Sequence, residues 1–276
     1  MHKMKRLFLI LILLLLLRGT AYADMDVYFL DVGQGDAAII ICDGEAMVID
    51  GGPAKASSFM YSLVRNTLEL PYIRYMVATH PHEDHIGGLS GVLNAVPVDL
   101  ILSPVLEWDT RAFNSILKYA DFQGSPILIP EDGDQFSLGD AIVTILLCWP
   151  DAWTENDMSI ILRIDYMDTS FLFTGDAEYM AEYMVIDGLL PLEANVLKVG
   201  HHGSQTSSTL EFINAVNPTY AVISCGRNNS YGHPHKETLE SLSNKDVTIL
   251  RTDLQGTIHF HSNGESITFE TERRNQ

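Results

Sequence analysis

The sequence is poor in positive charge: 17 Lys and Arg stand against 36 Asp and Glu, a formal net charge of −19. No block of Lys and Arg concentrates positive potential anywhere along it, which disfavours high-affinity capture of a nucleic acid through surface charge alone. Cysteine is also scarce. Cys42, Cys148 and Cys225 lie in or at the end of apolar stretches and form no CxxC or Cys/His spacing suited to a metal. So few thiols, and an odd number of them, argue against a disulfide framework, so they read as core side chains and packing must hold the fold. Long apolar runs are missing too: Leu7–Leu17 has only 11 residues, against the roughly 20 that cross a bilayer. No Pro/Gly/Ser-rich linker, charge run or internal repeat divides the chain beyond that run, and one domain is expected over 24–276.

The short apolar run is preceded by Lys3, Lys5 and Arg6 and followed by Arg18-Gly-Thr-Ala-Tyr-Ala23. This is the three-part pattern of a secretory signal peptide over 1–23, with small residues at Ala21 and Ala23 marking the cleavage site. Processing there removes 4 basic residues and leaves 253 residues carrying −23. The expected product is secreted or otherwise extracytoplasmic, without stable membrane insertion, an uncleaved anchor being the alternative. No cysteine near the cleavage region could accept a lipid.

Short β-rich runs recur from Val27–Val32 and Ala37–Cys42 through Ile142–Cys148, Ile160–Tyr166 and Phe171–Thr174 to Thr257–Phe260 and Ser266–Phe269. Helical spacing appears between some of them, at Ser58–Leu70, Gly87–Ala95, Arg111–Tyr119, Ala177–Ile186, Ser208–Ala215 and Glu237–Leu242. Strands first, then strands interleaved with helices, suit two sheets between helical layers, an α/β arrangement, more than an all-β barrel.

The densest chemistry lies in Thr79-His80-Pro81-His82-Glu83-Asp84-His85-Ile86-Gly87-Gly88, with four potential metal ligands in six residues where a strand meets a Gly-rich helix start. In an extended segment His80 and His82 share a side, because side chains alternate with period two, while Asp84 and His85 fall on the following turn. One loop can thus serve two ions. Asp176 ends an apolar strand and precedes an amphipathic run, so it fits either a metal ligand or a helix N-cap. Ser208-Thr-Leu-Glu211 reads as a capping box. Ser204 and Thr206 precede a helix start, where an anion such as phosphate is favoured. The glycines of Asp31-Val-Gly-Gln-Gly-Asp36 are explained by a tight turn, and His259 and His261 read as surface residues of a late strand.

The His80–His85 stretch resembles the signature loop of the metallo-β-lactamase-fold hydrolases, which form αββα sandwiches. Phe173-Thr174-Gly175-Asp176 resembles that family's metal-bridging aspartate, and Lys198-Val199-Gly200-His201-His202-Gly203-Ser204 its final histidine motif. With Asp31–Asp36 before them and Tyr231-Gly232-His233-Pro234 after, the series is most similar to the ComEC-like competence hydrolase branch and covers nearly all of the chain beyond the leader. The resemblance implies two divalent ions, zinc or manganese, held by His80, His82, Asp84, His85, Asp176 and His201, with Asp84 and Asp176 catalytic. It further implies that Asp36, Asp50, Asn156, His202, Ser204, Thr206 and His233 support the ligands from behind or contact substrate. The His201 and His202 assignments could be reversed.

Many members of that superfamily carry one more ligand histidine between the loop and the aspartate, whereas this chain has none from Ile86 to Gly200. Asn156, Asp157 and Ser159 occupy the region, and an oxygen donor there makes manganese more credible. Zinc β-lactamases usually carry cysteine where Asp176 stands, so β-lactam hydrolysis is not expected as the native activity. The expectation is an exported phosphodiesterase or nuclease whose nucleophile is a hydroxide bridging the two ions, acting on a small or terminal phosphodiester that could belong to a nucleic acid. The alternatives are a lactone or ester hydrolase of the same fold and a non-catalytic metal-binding module.

Overall fold

The computed structural model describes residues 24–273; the expected leader lies outside them. An eight-stranded sheet is built from β1 (Met25–Phe29), β2 (Ala37–Cys42), β3 (Glu45–Gly51), β4 (Ile73–Val77), β5 (Val98–Leu102), β6 (Ile127–Leu128), β14 (Ile258–Ser262) and β15 (Ile267–Thr271), in the order β15-β14-β1-β2-β3-β4-β5-β6. A seven-stranded sheet contains β7 (Gln135–Leu138), β8 (Ala141–Leu147), β9 (Ile161–Tyr166), β10 (Thr169–Phe173), β11 (Val196–Lys198), β12 (Tyr220–Ile223) and β13 (Thr248–Arg251), in the order β13-β12-β11-β10-β9-β8-β7. Both sheets are mixed. Hairpins give the antiparallel part of each, and crossovers make β3 to β6 and β10 to β13 parallel.

Strands buried on both faces read as unbroken apolar runs, and β2, AAIIIC, is such a strand: Ile39 packs outward while Ala38 and Ile40 face the other sheet. The core between the sheets is made by Val27, Phe29, Ile40, Met47, Ile145, Leu162, Phe171 and Phe260 among others. Outside the first sheet, helices α1 (Ser57–Ser62), α2 (Glu83–Ile86), α3 (Leu89–Ala95) and α4 (Arg111–Gln123) contribute Met60, Ile86, Val92 and Ile116 to a second apolar layer. Outside the other sheet lie α5 (Tyr179–Asp187), α6 (Leu210–Val216), α7 (Lys236–Ser243) and α8 (Thr252–Gln255), with Ala181, Phe212 and Leu242 in its outer layers. The order of layers is the αββα sandwich expected from the sequence.

No cysteine is bonded: Cys42 and Cys225 are buried, Cys148 is half-buried, and loss of solvent pushes their thiols to about 11, 12 and 12 respectively. His259 and His261 are not isolated surface residues. Together they hold the Asp26 carboxylate of the adjacent strand, at 2.7 Å from His259 Nε2 and 3.2 Å from His261 Nδ1, and His259 stacks on Tyr28. Among the described residues no helix is long and apolar enough to cross a membrane.

Candidate metal centre

Strands β3 and β4, paired in parallel, and β10, β11 and β12, likewise parallel, deliver their C-terminal ends to one edge of the sandwich, where α/β sheets place their ligands. Asp50 comes from the end of β3, His80 from just beyond β4, Asp176 from beyond β10, and His201 and His202 from beyond β11. Two loops are packed against one another to close this edge. Gly35, with φ of +135°, lets its chain pass so near the metal loop that a Cβ there would lie 2.2 Å from the Asp84 carbonyl. Asp36 N–H donates to that same carbonyl at 3.1 Å.

The geometry converges on four buried residues. Asp36, His85, Asp176 and His202 each offer one ligand atom within 4.8 Å of the others. Asp36 Oδ1, His85 Nε2, Asp176 Oδ1 and His202 Nε2 are buried and lack a well-aligned hydrogen bond, although His85 Nε2 lies 3.1 Å from Asp176 Oδ1, His202 Nε2 3.4 Å from Asp176 Oδ2 and Asp36 Oδ1 3.1 Å from His202 Nδ1. Buried polar atoms facing one another without hydrogen bonds are costly. A divalent cation would satisfy His85 Nε2, Asp176 Oδ1 and His202 Nε2, so these residues fit a metal ion, while Asp36 stands behind the imidazoles, 3.1 Å from His202 Nδ1 and 3.9 Å from His85 Nδ1. Asp84 Oδ2 adds a carboxylate 3.3 Å from His202 Nε2.

Beside this group His80 Nε2 and His82 Nδ1 approach to 3.0 Å, a separation suited to two nitrogens on one ion at Zn–N distances of about 2.0–2.1 Å. The rings of His80 and His85 stand 4.2 Å apart. Each imidazole is held from behind: Asp50 takes His85 Nδ1 at 2.7 Å, Thr79 and Ser159 face His80 Nδ1 at 3.2 and 3.3 Å, and Glu155 takes His82 Nε2 at 2.6 Å. Outer partners of this kind fix tautomer and ring orientation. Asp50 also accepts from the Thr79 amide and hydroxyl at 2.9 and 2.7 Å.

His202 rather than His201 stands in the tight group. Both adopt left-handed backbone, φ of 47° and 54°, a strained conformation for residues with a Cβ. The turn drives His202 into the interior, where Nδ1 meets the Ser224 carbonyl at 2.9 Å and Asp36 at 3.1 Å. His201 is partly exposed, 3.8 Å from Asp176 and bonded through Nδ1 to Thr206 and Glu178.

The charges explain the titration of the metal-free site. Burial disfavours the His85 imidazolium, but the carboxylates of Asp176, Asp50 and Asp36 outweigh it and raise His85 well above the ordinary histidine value. His202 follows the same logic, burial against Asp176 and Asp36, and rises to about 10. His80 goes the other way, well below, because burial and then the charge of His85 both oppose its proton. Despite burial, Asp176 is held well below the carboxylate range by His202 and His85. Lys198, buried and in contact with Asp36, helps His202 and His85 keep that carboxyl low against its own burial.

Above the group opens a cavity of about 660 Å³ lined by Gln34, Pro53, Lys55, His82, Glu83, Asp84, Asn156, Asp176, His201, His202, Tyr231 and His233. Asn156 Oδ1 and His233 Nδ1 are further buried atoms without partners. Burial and the neighbouring His202 and His201 lower His233 to about 4, so it is a neutral donor or acceptor there.

Several expected roles are placed differently. Asp176 does not cap α5, whose N-cap is Glu178; Asp157 Oδ1 instead accepts from the Glu178 and Ala181 amides at 3.0 and 3.4 Å, so its carboxylate serves the helix. Helix α6 is capped by Thr209, which accepts from Phe212 N–H, one residue beyond the expected Ser208, because Ser208 is in left-handed backbone and cannot aim its hydroxyl along the helix. Ser204 and Thr206 do not line the cavity: their hydroxyls meet at 3.0 Å and Thr206 donates to Glu178 at 2.7 Å. Glu155, Glu178 and Lys198 escaped the sequence reading because their partners are distant in the chain; for Lys198 the signal was a lysine two residues before the Gly-His-His turn.

Residues 30–227 match the metallo-beta-lactamase superfamily. The chain is 30% identical over 266 residues to the ComE operon protein 3 of Bacillus subtilis, covering 90% of this chain and 34% of that protein. It is 30% identical over 257 residues to the recombination protein 2 of Haemophilus influenzae, covering 89% and 30%. It thus spans about a third of the length of these curated relatives. Among solved structures, the metallo-beta-lactamase fold protein YhfI of Bacillus subtilis superposes with a TM-score of 0.57 at 12% identity, covering 90% of this chain and 100% of that one. The fold, the candidate four-residue metal site and the family match agree: the chain belongs to the metallo-beta-lactamase superfamily, whose members are mostly metal-dependent hydrolases.

Proposed function

We propose that the protein is an exported hydrolase that uses two divalent ions, zinc or manganese, to cleave a small or terminal phosphodiester, including the end of a nucleic acid strand. The observation that carries this reading is the convergence of three unpartnered buried atoms, on His85, Asp176 and His202, beneath an open cavity. His80 and His82 would hold one ion, Asp84, His85 and His202 the other, with Asp176 between them; His201 would contact substrate from the rim. When bound, the ions supply an activated water and positive charge for the oxyanion that develops. The chain's own part is orientation: Asp50 and Glu155 fix the imidazoles from behind, and His233, neutral and facing the cavity, stands ready to hydrogen-bond a substrate oxygen. An aspartate at position 176, rather than the cysteine of zinc β-lactamases, favours phosphodiesters over β-lactams.

The test combines metal analysis with turnover of a chromogenic phosphodiester, a lactone and a β-lactam, each with manganese and with zinc. Close to two ions per chain and fastest cleavage of the phosphodiester are expected, with Asp84→Ala and Asp176→Ala inactive but folded. Faster opening of the lactone or β-lactam with either metal refutes the substrate class, and absence of bound metal refutes the enzyme. Export is checked separately, by N-terminal sequencing of protein from outside the cytoplasm, which should begin at or near Asp24.

A further inference from the structure

Besides Asp84 and Asp176 of the metal centre, the cavity wall carries Glu83, in a chain of net charge −19. Any anionic substrate therefore meets repulsion away from the metal centre. Among the lining residues one is a lysine and none an arginine: Lys55.

Lys55 sits on a single 3-10 turn, Ala54–Ala56, entered through Pro53. The turn is pinned to the metal loop, since Ala54 N–H donates to Glu83 Oε1 at 2.6 Å and Gly87 packs so closely that a Cβ there would lie 2.3 Å from Ala54 N. Ala56 N–H closes the turn on the Pro53 carbonyl at 2.7 Å. The backbone beneath Lys55 is thus fixed relative to Asp84 and His85. Its side chain is free. Glu83, the nearest acid in sequence on the adjoining loop, is engaged with the backbone, and Lys55 forms no ion pair or hydrogen bond among the described residues. The ammonium lies over Gly33, whose absent side chain leaves room for it: a Cβ there would lie 3.4 Å from Lys55 Nζ.

We infer that Lys55 is a specificity-determining residue that binds a second anionic group of the substrate, next to the one held at the metal centre. This rests on the phosphodiester reading above and narrows it to substrates with two or more negative groups. The physical reason is division of labour. A scissile phosphodiester carries one negative charge, which the proposed ions would take, whereas a flanking phosphate reaching the rim meets Glu83 and the chain's net negative charge, with Lys55 the one lysine or arginine among the lining residues to answer them. An ammonium on a flexible stem suits this, binding phosphate as a point charge without demanding one orientation.

The experiment compares wild type, Lys55→Met and Lys55→Arg, all loaded with the same metal. Methionine keeps the length of the stem, and at an exposed position it should leave the fold intact, as a thermal melt will verify. Hydrolysis of the dinucleotide TpT is measured beside that of pTpT, which adds a terminal phosphate. Independently of turnover, calorimetry measures binding of thymidine 5′-monophosphate and thymidine 3′,5′-bisphosphate. Wild type should prefer the more charged member of each pair, and Lys55→Met should cut that preference about tenfold, the scale of one charge-assisted contact at a partly exposed site; Lys55→Arg should keep most of it. Lys55→Met retaining the wild-type preference, or weakening both members of each pair equally, overturns the inference. A Lys55-dependent bisphosphate preference without any phosphodiester cleavage would uphold Lys55 and sink the phosphodiesterase reading. Cleavage with no Lys55 dependence would do the reverse.

Discussion

Replacing Asp50 by Asn tests whether the outer carboxylate sets the state of a ligand imidazole. Asp50 is 1% exposed and accepts three hydrogen bonds, from Thr79 N–H, Thr79 Oγ1 and His85 Nδ1. Its φ of 57° is left-handed, a conformation asparagine tolerates as well as aspartate, so Asp50→Asn adds no backbone strain. The Asn carbonyl can keep the Thr79 amide. Its NH2 group then occupies the position of Oδ2 and donates to Nδ1, which forces the neutral His85 proton onto Nε2, the atom aimed at Asp176. A protonated Nε2 cannot coordinate. Loss of such an outer partner weakens metal affinity about 10–100-fold, equivalent to roughly 1.4–2.8 kcal/mol. Asp50→Ala would behave differently, leaving three buried donors unmet at about 1–3 kcal/mol each, so it should lose stability as well as metal. The assay is chelator-competition titration of zinc at fixed pH, paired with denaturant unfolding of the metal-free proteins. Asp50→Asn binding zinc within twofold of wild type while remaining folded would refute the claim that Asp50 selects the His85 tautomer.

Two further outcomes are expected from the geometry. Gly35→Ala should lose about 2–5 kcal/mol, from a φ of +135° that L side chains rarely adopt and from collision with the Asp84 carbonyl at 2.2 Å, and denaturant unfolding will read it. Asp26→Asn should cost less than about 1 kcal/mol, because the carboxylate and its two histidines are partly exposed. The hydrogen bond between Asp26 and His259 lowers the acid and raises the base. The acid's contribution is present above 3.8 and lost as pH falls through its lower folded value, and the base's is present below 6.5 and lost as pH rises through its higher one. The gap between wild type and Asp26→Asn should therefore be widest between those two values and close on either side.

How much of this was legible depended on where the partners lie. Strands with unbroken apolar runs, such as Ala37–Cys42, were placed to the residue, because burial on both faces writes itself into composition. β7, Gln-Phe-Ser-Leu, is not among the expected runs: it is an edge strand of four residues, and one alternation of Phe136 and Leu138 is too short to stand out. The one-turn helices Glu83–Ile86 and Thr252–Gln255 are too short for any periodicity to show. The His-x-His spacing was legible because both side chains belong to one extended segment. What orients them was not: Glu155 meets His82 across 73 residues, and Lys198 meets Asp36 only after the two sheets have packed. Choosing between His201 and His202 needed the left-handed turn, which adjacent identical residues cannot announce.

Asp36, Asp50 and Asp176 are all buried, and isolated ionised carboxylates are not tolerated in a protein interior. Lys198 answers Asp36, but Asp50 and Asp176 depend for counter-charge on His85 and His202, which supply it only while protonated. The fold therefore has two ways to balance this edge: protonated histidines without metal, or neutral histidines with divalent ions in place of the protons. In the metal-free protein both histidines are raised, so the stability they contribute is full below the ordinary 6.5 and is lost as pH climbs toward the folded value, about 10 for His202. Metal binding has the opposite slope, since the protons it must expel are harder to remove as pH falls. Chelation should consequently lower the melting temperature little near pH 6 and far more near pH 9, and calorimetry in buffers of differing ionisation enthalpy should detect proton release on zinc binding at neutral pH. A chelator effect that is the same at both pH values, with no proton release, would mean that His85 and His202 do not exchange protons for metal.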